Sequence, residues 1–451
     1  MKNNRFVIGW MLFTISFNIL TAIAQTSQPP AQQLPSPYKI AFDARQTLDP
    51  GKLLVAMTEL RHQENAYLNS KLASSYIQNE AWYCSLTGDY QQAIAWMDSM
   101  QQPPKPKSRD DIAKQAAVLE NFKPVDAIKA IETIADQHQV IMINEAHHVA
   151  LHRQFMIDVL KVLRRKGFTH FAAETFDHLE MTGLSKRGFP LYTKTGFYSD
   201  EPVFGNLIRT AVQLGYIPIG YEELSPCEFD AADPERCIRE RETGQAKNLK
   251  DRILVKNPKA KIVIYAGYAH IQKGGFSATA PSMAQKFQEF TGITPFTIDQ
   301  IKMMEHSGPD FEVAVYRYAV EAGLVKTPTV FQNSEAQFFV SASSKANFDM
   351  QVFHPRTGYR QSRPDWLLRD KSKHLWTIPE DWLKSSLPVL IQAFHEKESV
   401  QAVPVDQLLI TTLRNQPALV LPTGTYLVRA IDATGKCTRE QKITITRQMP
   451  K

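Results

Sequence analysis

Acidic and histidine side chains follow four short apolar segments in the middle of the chain, directly after each segment ends. They are Glu145, His147 and His148 after the first segment, Glu174 after the second, Glu222 after the third and His270 after the fourth. Carboxylates and imidazoles at close range change one another's pKa and can produce a general base near neutral pH, as hydrolysis by activated water requires. The same residue types also bind divalent metals that acidify a bound water. The pattern therefore predicts a hydrolytic site and leaves open whether a metal takes part.

The elements that must position these residues are parallel strands. Short apolar runs that alternate with amphipathic helices are typical of βαβ units and a mostly parallel sheet, in which ligands bind outside the carboxyl ends of the strands. The predicted strands cover residues 140–143, 171–173, 217–219, 261–265 and 296–298. A helix is predicted from about residue 148 to residue 165. Glu145 and His148, three residues apart where that helix begins, are therefore expected to face the same way, and His148 shares a helical face with His152.

One segment of the chain resembles a known superfamily. Residues 140–176, VIMINEAHHVALHRQFMIDVLKVLRRKGFTHFAAETF, are similar to the opening βαβ unit of the superfamily that contains the erythromycin esterases, the ChaN-type haem-binding proteins and the Tiki/TraB proteins. In the esterase branch, a Glu and a His three residues later follow the first strand, and a second Glu closes the second strand. Glu145, His148 and Glu174 match that order, and Gly167-Phe168 matches the Gly-Phe pair that ends the intervening helix.

Two later segments extend the resemblance, and two positions depart from it. RETGQAKNL, which begins at Arg241, is similar to the family's Arg-acidic-x-x-Met-Ala-x-Asn helix, with Gln245 where Met is usual. IVIYAGYAHI resembles the late strand that ends in a family histidine, here His270. Asn144 replaces the glycine that normally precedes the first Glu, and His147 stands where the ChaN-type pattern has its own histidine. The resemblance covers about residues 126–299 and does not choose between the branches.

The esterase branch implies metal-independent hydrolysis. His148 would take a proton from water, while Glu145 and Glu174 hold His148 in place or adjust its pKa. Arg241 or His270 would stabilise the oxyanion. Further candidates for the same site are His147, His152, Arg153 and Glu222. This branch implies a hydrolase, with ester or lactone bonds favoured, although no motif identifies the substrate.

The other two branches imply different chemistry. The Tiki branch implies a metal-dependent peptidase, with ligands from Glu145, His147, His148 and His270. The ChaN branch implies haem binding without a reaction, through a Tyr or His on the iron, and Tyr268 or Tyr265 is the candidate here. A site without a cofactor is therefore the favoured interpretation, and a divalent metal or haem is the alternative.

The first 24 residues predict a cleavable export signal. Lys2 and Arg5 give a positive start, an apolar run follows, and Ala22-Ile23-Ala24 has the small-x-small pattern that signal peptidase requires. We therefore expect a periplasmic or secreted protein. No later stretch is long and apolar enough to cross a bilayer, so no stable membrane span is expected after cleavage.

The rest of the chain predicts several segments. They are a flexible linker (25–37), a helical segment (38–100), a Pro/Lys-rich linker (101–111), an α/β domain (112–325) and a C-terminal region with a β-rich tail (326–451). Residues 80–100 resemble the helix-turn-helix of one tetratricopeptide repeat, which cannot bury its own apolar face and is expected to dock on the next domain. The predicted fold class is α/β, with a mostly parallel sheet, flanking helices, an N-terminal helical hairpin and a small C-terminal β-rich module.

Charge and cysteine content constrain the partners only weakly. The chain has 52 Lys and Arg residues and 46 Asp and Glu residues. Cleavage of the signal would remove Lys2 and Arg5 and leave 50 basic residues against 46 acidic ones. This small excess of positive charge does not indicate a charged partner. We expect a small-molecule substrate and no nucleic acid. Cys227 and Cys237 could close a short disulfide loop in an oxidising compartment, but the sequence does not show whether their Cα atoms approach closely enough. The cysteine spacing does not match a structural zinc site.

Overall fold

The computed structural model describes residues 34–47, 50–102, 104–225, 227–228, 230–277, 279–383, 387–412 and 416–446. The predicted export signal and most of the first linker lie outside the described residues. Within these ranges, every helix is too short or too polar to span a lipid bilayer.

The N-terminal part is helical, as predicted. Its helices are α1 (Pro37–Gln46), α2 (Pro50–His62), α3 (Glu64–Leu68), α4 (Ala73–Leu86) and α5 (Tyr90–Asp98). Helices α4 and α5 form the predicted hairpin. Gly88 adopts a left-handed φ of +83° in its turn, and Asp89 caps α5 by accepting a hydrogen bond from the backbone N–H of Gln92.

The middle of the chain is an α/β unit. In chain order its elements are α6 (Arg109–Ala116), β1 (Lys123–Asp126), α7 (Ala127–Ile134), β2 (Val140–Glu145), α8 (Ala150–Arg165), β3 (His170–Ala173), α9 (Met181–Arg187), α10 (Pro202–Gln213), β4 (Ile217–Gly220), α11 (Arg236–Leu249), β5 (Ile262–Gly267), α12 (Met283–Thr291), β6 (Phe296–Asp299), α13 (Ala314–Glu321), β7 (Thr329–Gln332) and β8 (Met350–Gln351). A six-stranded parallel sheet has the order β4-β3-β5-β2-β6-β8. The parallel sheet is therefore confirmed, and each of the five predicted strands is present with ends within two residues of the prediction.

The strand order places the predicted site residues at one edge of the sheet. Strands β2 and β5 are neighbours at its centre, and every residue of both is buried, as expected for parallel strands covered by helices on both faces. Their register pairs Glu145 with Gly267, while β3 and β5 pair Ala173, the residue before Glu174, with Tyr265. The carboxyl ends of β3, β5 and β2 therefore lie side by side.

The predicted start of helix α8 is wrong by two residues, and this changes the site. Helix α8 begins at Ala150, and residues 146–149 form a turn in which the backbone N–H of Val149 donates to the carbonyl of Ala146 at 2.9 Å. The backbone N–H of Ala146 donates instead to Nδ1 of His152 at 3.1 Å. His148 therefore lies before the helix, and the helical faces expected for Glu145 with His148 and for His148 with His152 do not form.

The C-terminal region is the predicted β-rich module. Its strands are β9 (Tyr359–Arg360), β10 (Arg363–Pro364), β11 (Lys373–Thr377), β12 (Val389–His395), β13 (Asp406–Ile410), β14 (Ala418–Pro422), β15 (Gly424–Asp432) and β16 (Cys437–Ile445). An antiparallel four-stranded sheet has the order β13-β12-β15-β16, and β11 pairs with β14. The Cys227–Cys237 disulfide, which the sequence left open, is present with the two Cα atoms 5.6 Å apart.

The N-terminal helices share a hydrophobic core with the α/β unit, as the docking prediction required. The ring of Trp82 on α4 stacks on Phe197 at a centroid distance of 4.8 Å. Phe197 belongs to a loop at residues 196–200 that Arg45 on α1 also contacts. The Arg45 guanidinium lies 4.4 Å from the Phe197 ring centroid. It donates to Asp200 at 2.8 Å and to the carbonyl of Gly196 at 3.0 Å. The side chain of Asp200 is fully buried, so this ion pair holds α1 on the loop beside the sheet edge.

Replacing Arg45 by Met should lower the free energy of unfolding by about 3 kcal/mol, because it leaves the buried Asp200 carboxylate without its cation. The matched control is Lys39→Met on the same helix, whose ion pair with Asp43 is more than half exposed and should contribute less than about 1 kcal/mol. Chemical denaturation of the two variants and the wild type measures both effects. Equal losses in the two variants would contradict a structural role for the buried pair.

Candidate active site

Glu145 is the last residue of β2. Its carboxylate is buried, and both of its oxygens accept hydrogen bonds. Arg153 on α8 donates from Nε to Oε2 at 2.9 Å and from Nη2 to Oε1 at 3.0 Å, a bidentate pair. Burial opposes ionisation of the carboxyl, but the guanidinium and a hydrogen bond from His147 outweigh it and lower the pKa of Glu145 to about 2. Glu145 is therefore an acceptor of hydrogen bonds at any physiological pH.

His147 is the histidine that Glu145 orients. Its Nδ1 lies 2.9 Å from Oε1 of Glu145, and its backbone carbonyl accepts from Nη2 of Arg153 at 2.6 Å. The imidazole stacks on the ring of Tyr198 at a centroid distance of 3.7 Å and meets Tyr268 edge to face. Because an ionised carboxylate only accepts, the network assigns the proton to Nδ1 and leaves the lone pair of Nε2 directed away from Glu145.

Nε2 of His147 lies close to Gly267 and Glu174. A Cβ atom at Gly267 would lie 2.3 Å from Nε2 of His147 and 3.2 Å from Oε2 of Glu174, so only glycine lets the imidazole and the carboxylate approach this point. The backbone N–H of Gly267 donates to Oε2 of Glu174 at 2.6 Å. His147 and Glu174 thus approach each other beside Gly267 at the end of β5, and we call the region between their side chains the gap.

Arg241 on α11 joins two of the predicted acidic residues. It donates from Nε and Nη2 to the two oxygens of Glu222 at 3.0 and 2.6 Å, and from Nη2 to Oε1 of Glu174 at 2.7 Å. The Arg241 side chain is 29% exposed, whereas both carboxylates are only 5% exposed. Arg241 is therefore the most exposed member of this cluster.

His270 lies between two carboxylates. Its Nδ1 is 2.6 Å from Oε1 of Glu242, and its Nε2 is 3.4 Å from Oε1 of Glu174 and 3.2 Å from Nη1 of Arg241. Burial favours the neutral ring, but Glu242 and Glu174 outweigh it and raise the pKa of His270 to about 10. His270 is a cation at neutral pH, held beside the Arg241 guanidinium.

Helix α11 is fixed to the sheet edge by its polar face. Gln245 donates to Oε1 of Glu222 at 2.9 Å, and Asn248 donates to the backbone carbonyl of Tyr221 at 3.1 Å. Glu242 accepts from the backbone N–H of Met283 at the start of α12 at 2.7 Å. The segment that resembles the family's helix thus supplies both Arg241 and the contacts that position it.

His148 and His152 occupy different surroundings from His147. Nδ1 of His148 lies 3.3 Å from the hydroxyl of Tyr268. Burial, with the nearby His147, lowers the pKa of His148 to about 3, so the ring is neutral. His152 is fully buried behind the turn, with its ring centroid 5.4 Å from that of His354. Neither side chain joins the Glu145 pair.

The alternative metal ligands do not fit a metal as the structure places them. Both oxygens of Glu145 are bonded to Arg153, and His148 is directed at the hydroxyl of Tyr268. In the described part of the chain, no group of three or more His, Cys, Asp and Glu side chains is arranged to hold a metal ion.

The tyrosines considered for haem differ from each other in access. Tyr265 is 1% exposed and packs against Phe171 and Phe204 in the core, so it cannot reach a ligand. Tyr268 lies at the sheet edge with a left-handed φ of +44°, and Nδ2 of Asn144 donates to its carbonyl at 3.1 Å. Asn144, the departure from the family's glycine, therefore fixes the loop that carries Tyr268.

Sequence reasoning missed Glu201, Glu242 and Tyr198. Glu201 caps α10 and accepts from Nη1 of Arg153 at 3.1 Å; its position before Pro202 is a helix-start signal that could have found it. Glu242 belongs to the Arg-acidic pair of the family helix but was given no role. No local signal marks Tyr198, because its contact with His147 depends on the fold of a loop.

The raised pKa of His270 predicts how the free energy of unfolding depends on pH. Because the pKa rises from an ordinary 6.5 to about 10 in the folded protein, the stabilisation is fully present below pH 6.5 and is lost as the pH rises through 10. The difference in unfolding free energy between wild type and His270→Gln should therefore fall by up to about 1.4 kcal/mol per pH unit across that interval. Urea titrations from pH 6 to 10 measure it, with the exposed His178→Gln as the control that leaves the wild-type profile unchanged. A pH-independent difference would contradict a cationic His270.

No protein-family model and no curated protein matches the chain. Matched solved structures include one described as bacterial protein toxins (13% identity over 52% of this chain and 47% of that chain, TM-score 0.31) and the type III effector HopBA1 (10% identity over 52% and 97%, TM-score 0.32). Another is RRSP, a MARTX toxin effector domain from Vibrio vulnificus CMCP6 (16% identity over 62% and 50%, TM-score 0.28). The match spans about half the length of the first and third of these chains. With TM-scores near 0.3, these similarities carry no argument about the function of this chain.

Proposed function

We propose that the chain is a hydrolase in which His147, oriented by Glu145, is the general base that takes a proton from an attacking water. The observation that carries the proposal is the 2.9 Å contact between Nδ1 of His147 and Glu145, with Nε2 next to Gly267. A carboxylate that fixes the tautomer and stabilises the imidazolium formed on proton uptake is the arrangement that makes histidine an effective base. The base assigned from the resemblance, His148, lacks this partner.

Arg241 and His270, on the Glu174 side of the gap, support the step in which water adds to the carbonyl. Arg241 and His270 place two cationic groups beside Glu174, and preorganised donors of this kind stabilise the oxygen that becomes negative when water adds to a carbonyl. Glu222 and Glu242 hold those cations in place. The arrangement suits a neutral ester or lactone carbonyl, whose negative charge appears only during the reaction.

Water is the proposed nucleophile because the described residues offer no activated alternative at the gap. Of the cysteines, Cys84 is buried in α4 and Cys437 lies in the C-terminal module. The Cys227–Cys237 bridge supports the proposed export to the periplasm or medium, where disulfides persist.

His147→Ala should lower the rate of ester or lactone hydrolysis by roughly 10²–10⁴-fold, the usual contribution of a general base. His148→Ala is the matched control and should lower it less than about tenfold, since His148 has no carboxylate partner. A panel of esters and lactones, assayed with and without a chelator and with metal content measured on each variant, provides the test. Full activity in His147→Ala would refute the proposal. Equally severe losses in both variants, accompanied by loss of a bound metal, would favour the metal-dependent peptidase.

Gly267→Ala should reduce the same activity by at least about 100-fold, because the added methyl would occupy the position between Nε2 of His147 and Glu174 and displace the base. The control is Gly183→Ala in α9, where a Cβ meets only ordinary contacts at 3.4 Å or more. Circular dichroism checks that both variants are folded. Unchanged activity in folded Gly267→Ala would show that the gap is not where the reaction occurs.

A further inference from the structure

The turn that carries His147 is held at two points by the first residues of helix α8. The backbone carbonyl of His147 accepts from Nη2 of Arg153 at 2.6 Å. One residue earlier, the backbone N–H of Ala146 donates to Nδ1 of His152 at 3.1 Å. Two consecutive residues of α8 therefore fix the backbone just before the imidazole that we propose as the base, and at that residue itself.

The hydrogen bond to His152 lies beyond the end of the strand pairing. Strand β2 pairs with β6 as far as Ile143, and past that point side chains replace backbone partners. The carbonyl of Asn144 accepts from Nε2 of Gln300 at 2.7 Å, and the N–H of Ala146 donates to His152. Ala146, Gln300 and His152 are 1% exposed or less. Because a buried backbone N–H without a partner is costly, the turn depends on an acceptor at residue 152.

His152 can accept this hydrogen bond only when its Nδ1 carries no proton. Burial, with the neighbouring His354, holds the pKa of His152 well below its ordinary value. The ring is therefore neutral at physiological pH, with its proton on Nε2 and the lone pair of Nδ1 directed at Ala146. An apolar side chain of the same size would fill this space but would leave the N–H of Ala146 without a partner.

We propose that His152 is a positioning residue for His147. As a neutral acceptor for Ala146, it fixes the turn that places Nδ1 of His147 at Glu145. This inference rests on the proposed hydrolase function, in which His147 is the base. Misplacement of a catalytic group by about 1 Å can lower a rate by about 100-fold, so an acceptor that touches no substrate can still determine kcat.

Two substitutions separate the acceptor from the bulk of the ring. His152→Leu fills the space without an acceptor, whereas His152→Asn keeps one, because the amide oxygen is bonded to Cγ as Nδ1 is in the ring. On an ester or lactone that the wild type cleaves, His152→Leu should lower kcat roughly 10- to 100-fold while KM stays within about threefold. His152→Asn should return kcat to within about threefold of the wild type.

The matched control is His170→Leu, which should leave kcat unchanged. His170 is also a buried histidine, but it begins β3, at the end of the strand away from the site. Circular dichroism checks that each variant is folded. If His152→Leu does not fold, His152→Met replaces it, because its flexible thioether adapts to the core and is only a weak acceptor.

Proton NMR of the full chain tests the positioning without requiring catalysis. The Nδ1–H proton of His147, protected from exchange by its hydrogen bond to Glu145, should give a downfield signal in the wild type. His147→Ala removes this signal and so assigns it. The signal should be lost in His152→Leu and retained in His152→Asn.

The outcomes separate this inference from the proposed function. The inference is overturned if kcat in folded His152→Leu stays within about threefold of the wild type, if His152→Asn is as impaired as His152→Leu, or if the His147 signal survives in His152→Leu. A wild type that cleaves neither esters nor lactones refutes the proposed function. In that protein, loss of the His147 signal in His152→Leu and its return in His152→Asn would still support the placement of His147 by His152.

Discussion

The buried pair between Glu145 and Arg153 is the interaction on which the proposed site depends. Arg153 is fully buried, so its charge is tolerated only because Glu145, the backbone carbonyl of His147 and Glu201 accept from it. Through these contacts one guanidinium joins the end of β2, the turn that follows it and the start of α10. The orientation of His147 follows, because its backbone and its Nδ1 are held by the two members of the same pair.

In the cluster around Arg241 and His270, three carboxylates surround two cations. Glu174 and Glu222 accept from Arg241, and Glu242 and Glu174 keep His270 protonated, so these cations are fixed by carboxylates after two strands and on one helix. Such an arrangement limits rearrangement during a reaction, because the charges are already in position before substrate arrives. It also separates the roles of the imidazoles: His270 is a fixed cation and cannot be a base at neutral pH, whereas His147 is hydrogen-bonded to Glu145 through Nδ1.

The sequence predicted which strands form the sheet and which residues lie at its edge, because apolar runs and the residues that follow them are local signals. It could not predict which of two adjacent histidines meets Glu145. That choice depends on whether α8 begins at residue 148 or at Ala150, and helix ends are the least certain part of any sequence-based assignment. The decisive contact is the hydrogen bond from the backbone N–H of Ala146 to His152, which holds the turn open. The contact of Trp82 on α4 with Phe197 was also unpredictable, because it arises from packing between segments far apart in sequence.

The N-terminal helices consequently belong to the same functional unit as the sheet. Arg45 and the Trp82–Phe197 stack hold them on the loop that carries Tyr198, and Tyr198 in turn supports the imidazole of His147. That imidazole packs against the rings of Tyr198 and Tyr268, and Glu174, which belongs to the ionised cluster with Arg241 and His270, lies near it beside Gly267. A low-dielectric wall strengthens the field of the charges opposite it, so covering the base with apolar helices increases the effect of those cations on a nearby carbonyl. The helical segment thus contributes to the electrostatics of the site through its apolar packing.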